Sequence, residues 1–141
     1  MRFYIDTNVV IAIVEANSAL TAGQMAFIEN VDKGRVKAAT SELTLAECLV
    51  KPMAGHNAVT VQAYLTFLDN RPEFPVLPVS RTILIEAARL RAELGVKLPD
   101  AIHVATALSA GCDVFMTNDR GVKAAMKIGI QWWDELSTGS P

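Results

Sequence analysis

The stretch RFYIDTNVVIAIVE, residues 2–15, decides how the rest of the chain is read. Phe3, Tyr4 and Ile5 form a short apolar run, and Val9 to Val14 is apolar throughout. Between them stand Asp6, Thr7 and Asn8, three polar side chains where the chain passes through a core. A buried carboxylate is costly unless it is hydrogen-bonded, paired or bound to a metal. The pattern predicts a strand over 2–6 and a short helix over 9–15, with Asp6 at the junction.

Working outward, the same apolar character continues along the 141 residues. Hydrophobic residues make up 51% and charged residues only 20%, with a mean hydropathy of +0.28. Such a balance predicts a sheet covered on both faces, an oligomer interface, or both. No apolar stretch reaches membrane-spanning length, because the longest candidate, 101–116, contains His103 and Asp113. Asp6 also interrupts what would be the apolar region of a signal peptide. Cys48 and Cys112 have no metal-type spacing and suggest no disulfide framework, so a reduced, cytosolic protein is expected. The net charge of −2 argues against a globally basic nucleic-acid binder, although a local basic rim and a metal can serve an enzyme that cuts nucleic acid.

Periodicity and breakers predict the remaining elements. Helices are expected over 21–32, over 43–50 with a stop at Pro52, and over 56–70. Further helices are expected over 83–94 up to Gly95, over 100–110 up to Gly111, and over 120–127. Strands are expected over 36–40, 76–79, 114–117 and 130–133. With no repeat, linker or low-complexity run, residues 1–136 read as one domain and 137–141 as a disordered tail. Strands alternating with helices imply βαβ units and a parallel sheet. In such sheets ligands bind beyond the carboxyl ends of the strands.

That rule singles out four acids. Asp6 ends the first strand, and Asp119 lies just past the strand over 114–117. Glu47 sits early in the helix after the second strand, and Asp100 opens the helix of LPDAIHVATAL. Each has a plain structural explanation. Asp6, Thr7 and Asn8 are good N-caps, Thr44 to Glu47 matches a capping box, and Asp100 follows Pro99 in a first turn. Together, four carboxylates at one edge repel one another unless a cation is present. A hard divalent cation such as Mg²⁺ or Mn²⁺ suits oxygen ligands, and no Cys/His cluster suggests zinc. Carboxylate-held hard metals are typical of phosphoryl chemistry, so the set favours metal-dependent phosphodiester cleavage.

In order and spacing, FYIDTNVVIAIV, TSELTLAECLVKP, KLPDAIHVATAL and VFMTNDRGVK resemble the four motif regions of PIN-domain ribonucleases, especially the VapC toxins of VapBC toxin–antitoxin pairs. The resemblance runs from about residue 2 to 133. It implies a PIN-like three-layer α/β/α fold around a central, mostly parallel sheet of about five strands. It implies a catalytic set of Asp6, Glu47, Asp100 and Asp119, with Asp6, Asp100 and Asp119 as metal ligands and Mg²⁺ or Mn²⁺ as cofactor. Thr7 and Asn8 would orient Asp6, and Thr117 would hydrogen-bond within the site. An RNA substrate, a small antitoxin and a homodimer are the partners it implies. The alternative is a catalytically silent PIN-like module that binds RNA or protein.

Several other residues leave two readings open. Arg120, Lys123 and Lys127 share a predicted helix face beside Asp119, as RNA phosphate contacts or as a solvated face. His103, one turn after Asp100, is either a site residue or, as is commoner, a packed and hydrogen-bonded one. Trp132 and Trp133 could stack on bases, but their place at the last strand favours packing. A haloacid-dehalogenase-like phosphatase would need a second Asp where Asn8 stands, and a receiver domain would need an acidic pair that Thr7 and Asn8 do not supply.

Overall fold

A computed structural model describes residues 1–16, 18–122 and 127–137. Five strands form one sheet: β1 (Arg2–Ile5), β2 (Lys37–Ser41), β3 (Val76–Leu77), β4 (Val114–Thr117) and β5 (Gly129–Trp132). Their order is β3-β2-β1-β4-β5, and all four pairings between them are parallel. The helices are α1 (Thr7–Glu15), α2 (Ala22–Asp32), α3 (Glu42–Ala54), α4 (Ala58–Phe67), α5 (Arg81–Leu94) and α6 (Leu98–Ser109). This is the three-layer α/β/α arrangement expected from the alternation of strands and helices.

Side-chain alternation along β1 divides the core. Tyr4 joins the cluster under α5 and α6, with Ala87, Leu90, Val104 and Phe115. Phe3 and Ile5 join the opposite cluster, with Val9, Val10, Tyr64 and Trp133. Fully burying one such side chain contributes about 1.5–3 kcal/mol. Both neighbours of β1 are strands, so its backbone is paired on both sides, and an apolar run can sit there without an exposed edge.

After β1 the chain moves to one side through β2 and β3, then returns to the other side for β4 and β5. The boundary between β1 and β4 is therefore the point where strand order reverses, and it forms a natural crevice. Tyr4 pairs with Phe115 across it, and the Asp6 N–H continues the ladder to the Met116 carbonyl at 3.0 Å.

Several boundaries differ from the sequence expectation. Helix α3 begins at Glu42 and continues through Pro52 to Ala54. Proline removes one i→i−4 bond, a modest loss only two residues from the helix end, and Pro52 is buried. Helix α4 is shorter than the periodicity predicts, because Asn57 caps it at the Thr60 N–H. Trp133 leaves the last strand for a 3-10 turn, Trp133–Glu135, and is buried. Gln24 donates to its carbonyl, and Gly23 leaves room for the Leu136 backbone. The helix expected over 120–127 starts instead as a turn at Asp119–Val122; residues 123–126, and residues 138–141 of the expected tail, lie outside the described residues.

Candidate active site

Asp6 is buried at 4% exposure, so its charge must be satisfied within the protein. Its Oδ1 accepts from the Thr7 N–H at 2.8 Å. Its Oδ2 accepts from Asn8 Nδ2 at 2.9 Å and from the Thr117 hydroxyl at 2.7 Å. Asp6 is thus both the N-cap of α1 and a tie between β1 and β4. Asn8 extends that tie: its Nδ2 donates to Thr117 Oγ1, and its Oδ1 accepts from the Asn118 N–H. Asn118 in turn accepts from the Asp134 N–H, which links the site loop to the C-terminal turn. Among the described residues, no buried side-chain nitrogen or oxygen lacks a partner.

Glu47 makes no capping box. The helix begins earlier than that motif requires, and Thr44 Oγ1 bonds Thr40 Oγ1 at 2.7 Å instead. The Glu47 carboxylate turns toward β1, where Oε1 accepts from the Thr7 hydroxyl at 2.7 Å and from His103 Nε2 at 2.6 Å. Burial alone would raise its pKa; the bonds to His103 and Thr7 outweigh burial and hold it below the ordinary glutamate range. Because that carboxylate only accepts, Nε2 carries the hydrogen of the shared bond.

His103 is buried in α6, and its Nδ1 meets the Tyr4 hydroxyl at 2.7 Å. That hydroxyl also bonds Ser41 Oγ at 2.8 Å. Burial pushes the Tyr4 phenol well above its ordinary value, so it stays protonated. His103 Nε2 lies 3.8 Å from Asp6 Oδ1, so the ring stands between two carboxylates. The sequence reading left His103 open and took Tyr4 as an ordinary strand residue. The signal that could have joined them is alternation along β1, which points Tyr4 at the face where α6 packs.

Asp100 lies in the first turn of α6 and is partly buried. Burial first, and then the charges of Asp119, Asp6 and Glu47, raise its pKa against an opposing influence from His103. Asp100 therefore feels the charges of the other three predicted acids. Asp119 is exposed, and its Oδ1 accepts from the Gly121 N–H to close a local turn. Thr117 Oγ1 accepts from the Asp119 N–H, which fixes that turn to the end of β4.

Among the described residues, no three carboxylate, imidazole or thiolate side chains converge into a ready-made metal cage. The chemistry of the donors still suits a hard cation. They are carboxylate oxygens, burial and then neighbouring carboxylate charges raise the Asp100 pKa, and Mg²⁺ is commonly held by one or two carboxylates while it keeps several waters.

Of the predicted RNA contacts, Arg120 stacks on Trp132, 4.0 Å from the ring centre, and pairs with Glu135 at 3.1 Å. Lys127 is exposed, and Lys123 lies outside the described residues.

Fold and site together define an α/β protein with an acidic crevice where its strand order reverses. The PIN domain family model matches residues 3–127, and the chain belongs to that family. Its structure is similar to that of VapBC2 from Rickettsia felis, solved bound to a DNA fragment from their promoter. The TM-score is 0.73 and the identity 20%, over 95% of this chain and 100% of the other. DNA-bound VapBC from Salmonella typhimurium is similar with a TM-score of 0.65 and 22% identity, over 94% of this chain and 98% of the other. VapBC-5 from Mycobacterium tuberculosis, a member of a family of toxin–antitoxin systems, gives 0.58 and 23%, over 93% and 96%. Comparison with curated proteins gives no match.

Proposed function

We propose that the protein is a divalent-metal-dependent ribonuclease and the toxin of a toxin–antitoxin pair. The observation that carries this reading is geometric: Asp6 and Glu47 flank His103 Nε2 at 3.8 and 2.6 Å at the end of β1, with Asp100 in the first turn of α6 and Asp119 just past β4. Membership of the PIN domain family and the likeness to VapBC structures support it.

Asp6, Asp100 and Asp119 would hold Mg²⁺ or Mn²⁺. When bound, the ion supplies a water of lowered pKa and neutralises charge developing on the phosphodiester. The chain's own residues do the rest. Thr7, Asn8 and Thr117 hold the Asp6 carboxylate in one orientation. Glu47, kept ionised by His103 and Thr7, would bind the ion through water and accept a proton from that water. RNA would run along the strand ends, with the phosphates of its backbone facing the crevice.

A small antitoxin is the proposed protein partner, on the model of the complexes that the chain is similar to. A second copy is the proposed oligomer partner, because Leu84, Ile85, Leu98 and Leu108 are exposed on α5 and α6, which pack against each other. The proposed compartment is the cytosol. No helix among the described residues is long and apolar enough to cross a membrane, and both cysteines are unpaired and buried.

One observation favours the silent-module reading: the acids form no closed cage among the described residues. The test is cleavage of a structured RNA panel, including tRNAs, with Mg²⁺, with Mn²⁺ and with EDTA, beside Asp6→Asn. Cutting that needs the ion and is lost in Asp6→Asn establishes the nuclease. RNA binding without cutting, equal in both proteins, establishes the module.

A further inference from the structure

Behind Glu47 stand a buried histidine and a buried tyrosine that the carboxylate alone does not require. Three elements converge there. His103 comes from the second turn of α6, Tyr4 from the middle of β1, and Ser41 from the end of β2. All three are buried, and their polar side-chain atoms form a chain into the site: Ser41 Oγ to the Tyr4 hydroxyl, that hydroxyl to His103 Nδ1, and His103 Nε2 to Glu47 Oε1 at 2.6 Å and to Thr7 Oγ1 at 3.2 Å. The Tyr4 and Phe115 rings stack with centres 5.4 Å apart, so the phenol cannot swing away from the imidazole. An interior that placed these groups only for packing would be better served by apolar side chains of similar volume.

We propose that His103 is a positioning residue for the cleavage centre, held from behind by Tyr4 and Ser41 so that it fixes the Glu47 carboxylate. The consequence is an asymmetric carboxylate. Oε1 is occupied by His103 and Thr7, whereas among the described residues no hydrogen bond reaches Oε2. Glu47 therefore presents one oxygen, in one rotamer, from a helix side chain that is otherwise a third exposed and free to rotate. The same nitrogen stands 3.8 Å from Asp6 Oδ1, so the ring lies between the two acids. Such supporting partners typically change metal affinity or turnover by about 10- to 100-fold when removed. This role rests on the nuclease reading for its kinetic consequence, but not for its effect on metal binding.

The experiment uses the full chain and three variants. His103→Leu keeps apolar bulk and removes the donor, His103→Gln returns an N–H near the position of Nε2, and Tyr4→Phe removes only the hydroxyl that holds the ring. Two readouts are taken: Mn²⁺ binding to the chain alone, and kcat and KM for RNA cleavage. His103→Leu is expected to weaken Mn²⁺ binding and lower kcat by roughly 10- to 100-fold with KM for RNA unchanged. His103→Gln is expected to recover most of that loss, and Tyr4→Phe to show a smaller loss of the same kind. If His103→Leu does not fold, Tyr4→Phe decides by the same kcat-against-KM split. Wild-type values in His103→Leu, or a Gln variant as impaired as the Leu variant, would overturn the positioning role. A wild type that binds Mn²⁺ but cuts no RNA would overturn the nuclease reading alone, and the Mn²⁺ series would still decide the role of His103.

Discussion

At the end of β1, Asp6 is buried and takes three donated hydrogen bonds, and Glu47 beside it takes two on a single oxygen. Across the crevice, Asp100 takes none among the described residues and is pressed by the charges of its neighbours, while Asp119 is exposed and closes only its own turn. The first pair belongs to the structure; its carboxylates are satisfied whether or not an ion is present. In the second pair, burial and neighbouring charge oppose ionisation of Asp100, and a cation would relieve that. Preorganisation and affinity are thus divided between the two sides of one site.

The sharpest way to break this comparison is to neutralise one acid on each side. Asp6→Asn and Asp100→Asn should both lower RNA cleavage by more than about 100-fold, since losing a ligand costs more than losing its supporting partner. Their stabilities should move in opposite directions. Asp6→Asn sets an amide against a group of donors and should cost about 1–3 kcal/mol in denaturant unfolding. Asp100→Asn should raise the metal-free midpoint temperature at neutral pH. Equal destabilisation by both would show that the division is false.

The pH dependence follows from the same shifts. Asp100 has a raised pKa, so the stability it allows is full below its unfolded value and is lost as pH rises through its folded value. Glu47 has a lowered pKa, so it contributes above its unfolded value and that contribution is lost as pH falls through its folded one. In metal-free protein, the advantage of Asp100→Asn should therefore shrink as pH falls through the carboxylate range. A thermal-unfolding series from neutral to acid pH checks the sign.

Smaller effects sharpen the picture. Thr117→Val removes the donor to Asp6 and the acceptor for the Asp119 N–H, and should lower activity about 10- to 100-fold. Asp119, the most exposed of the three proposed ligands, would bind the ion through water, and Asp119→Asn keeps an oxygen for that water and for the Gly121 N–H, so its loss should stay within about tenfold. A larger effect for Asp119 than for Thr117, in the same cleavage assay, would show that Asp119 binds the ion directly and that the division between the two sides fails.

Much of this was legible from short patterns. The apolar run before Asp6, the alternation of strands with helices and the breakers at Gly95 and Gly111 were sufficient to predict a parallel sheet and where its ligand edge lies. Local competition defeated other readings. Pro52 ends most helices, yet one lost bond near a helix end is tolerated when the ring is buried. Thr44 to Glu47 has the spacing of a capping box, but the hydroxyl and the carboxylate found better partners on other elements.

Periodicity and residue chemistry by themselves were enough to predict alternating strands and helices in a covered parallel sheet, and to single out four acids as candidates for its ligand edge. Only the tertiary structure decided which oxygen each acid leaves open, because hydrogen bonds between residues as far apart as 111 positions depend on sheet order and helix packing. Tyr4 shows the difference. Its sequence neighbours make it a strand residue, and α6, packed over the sheet nearly a hundred residues later, makes its hydroxyl part of the site.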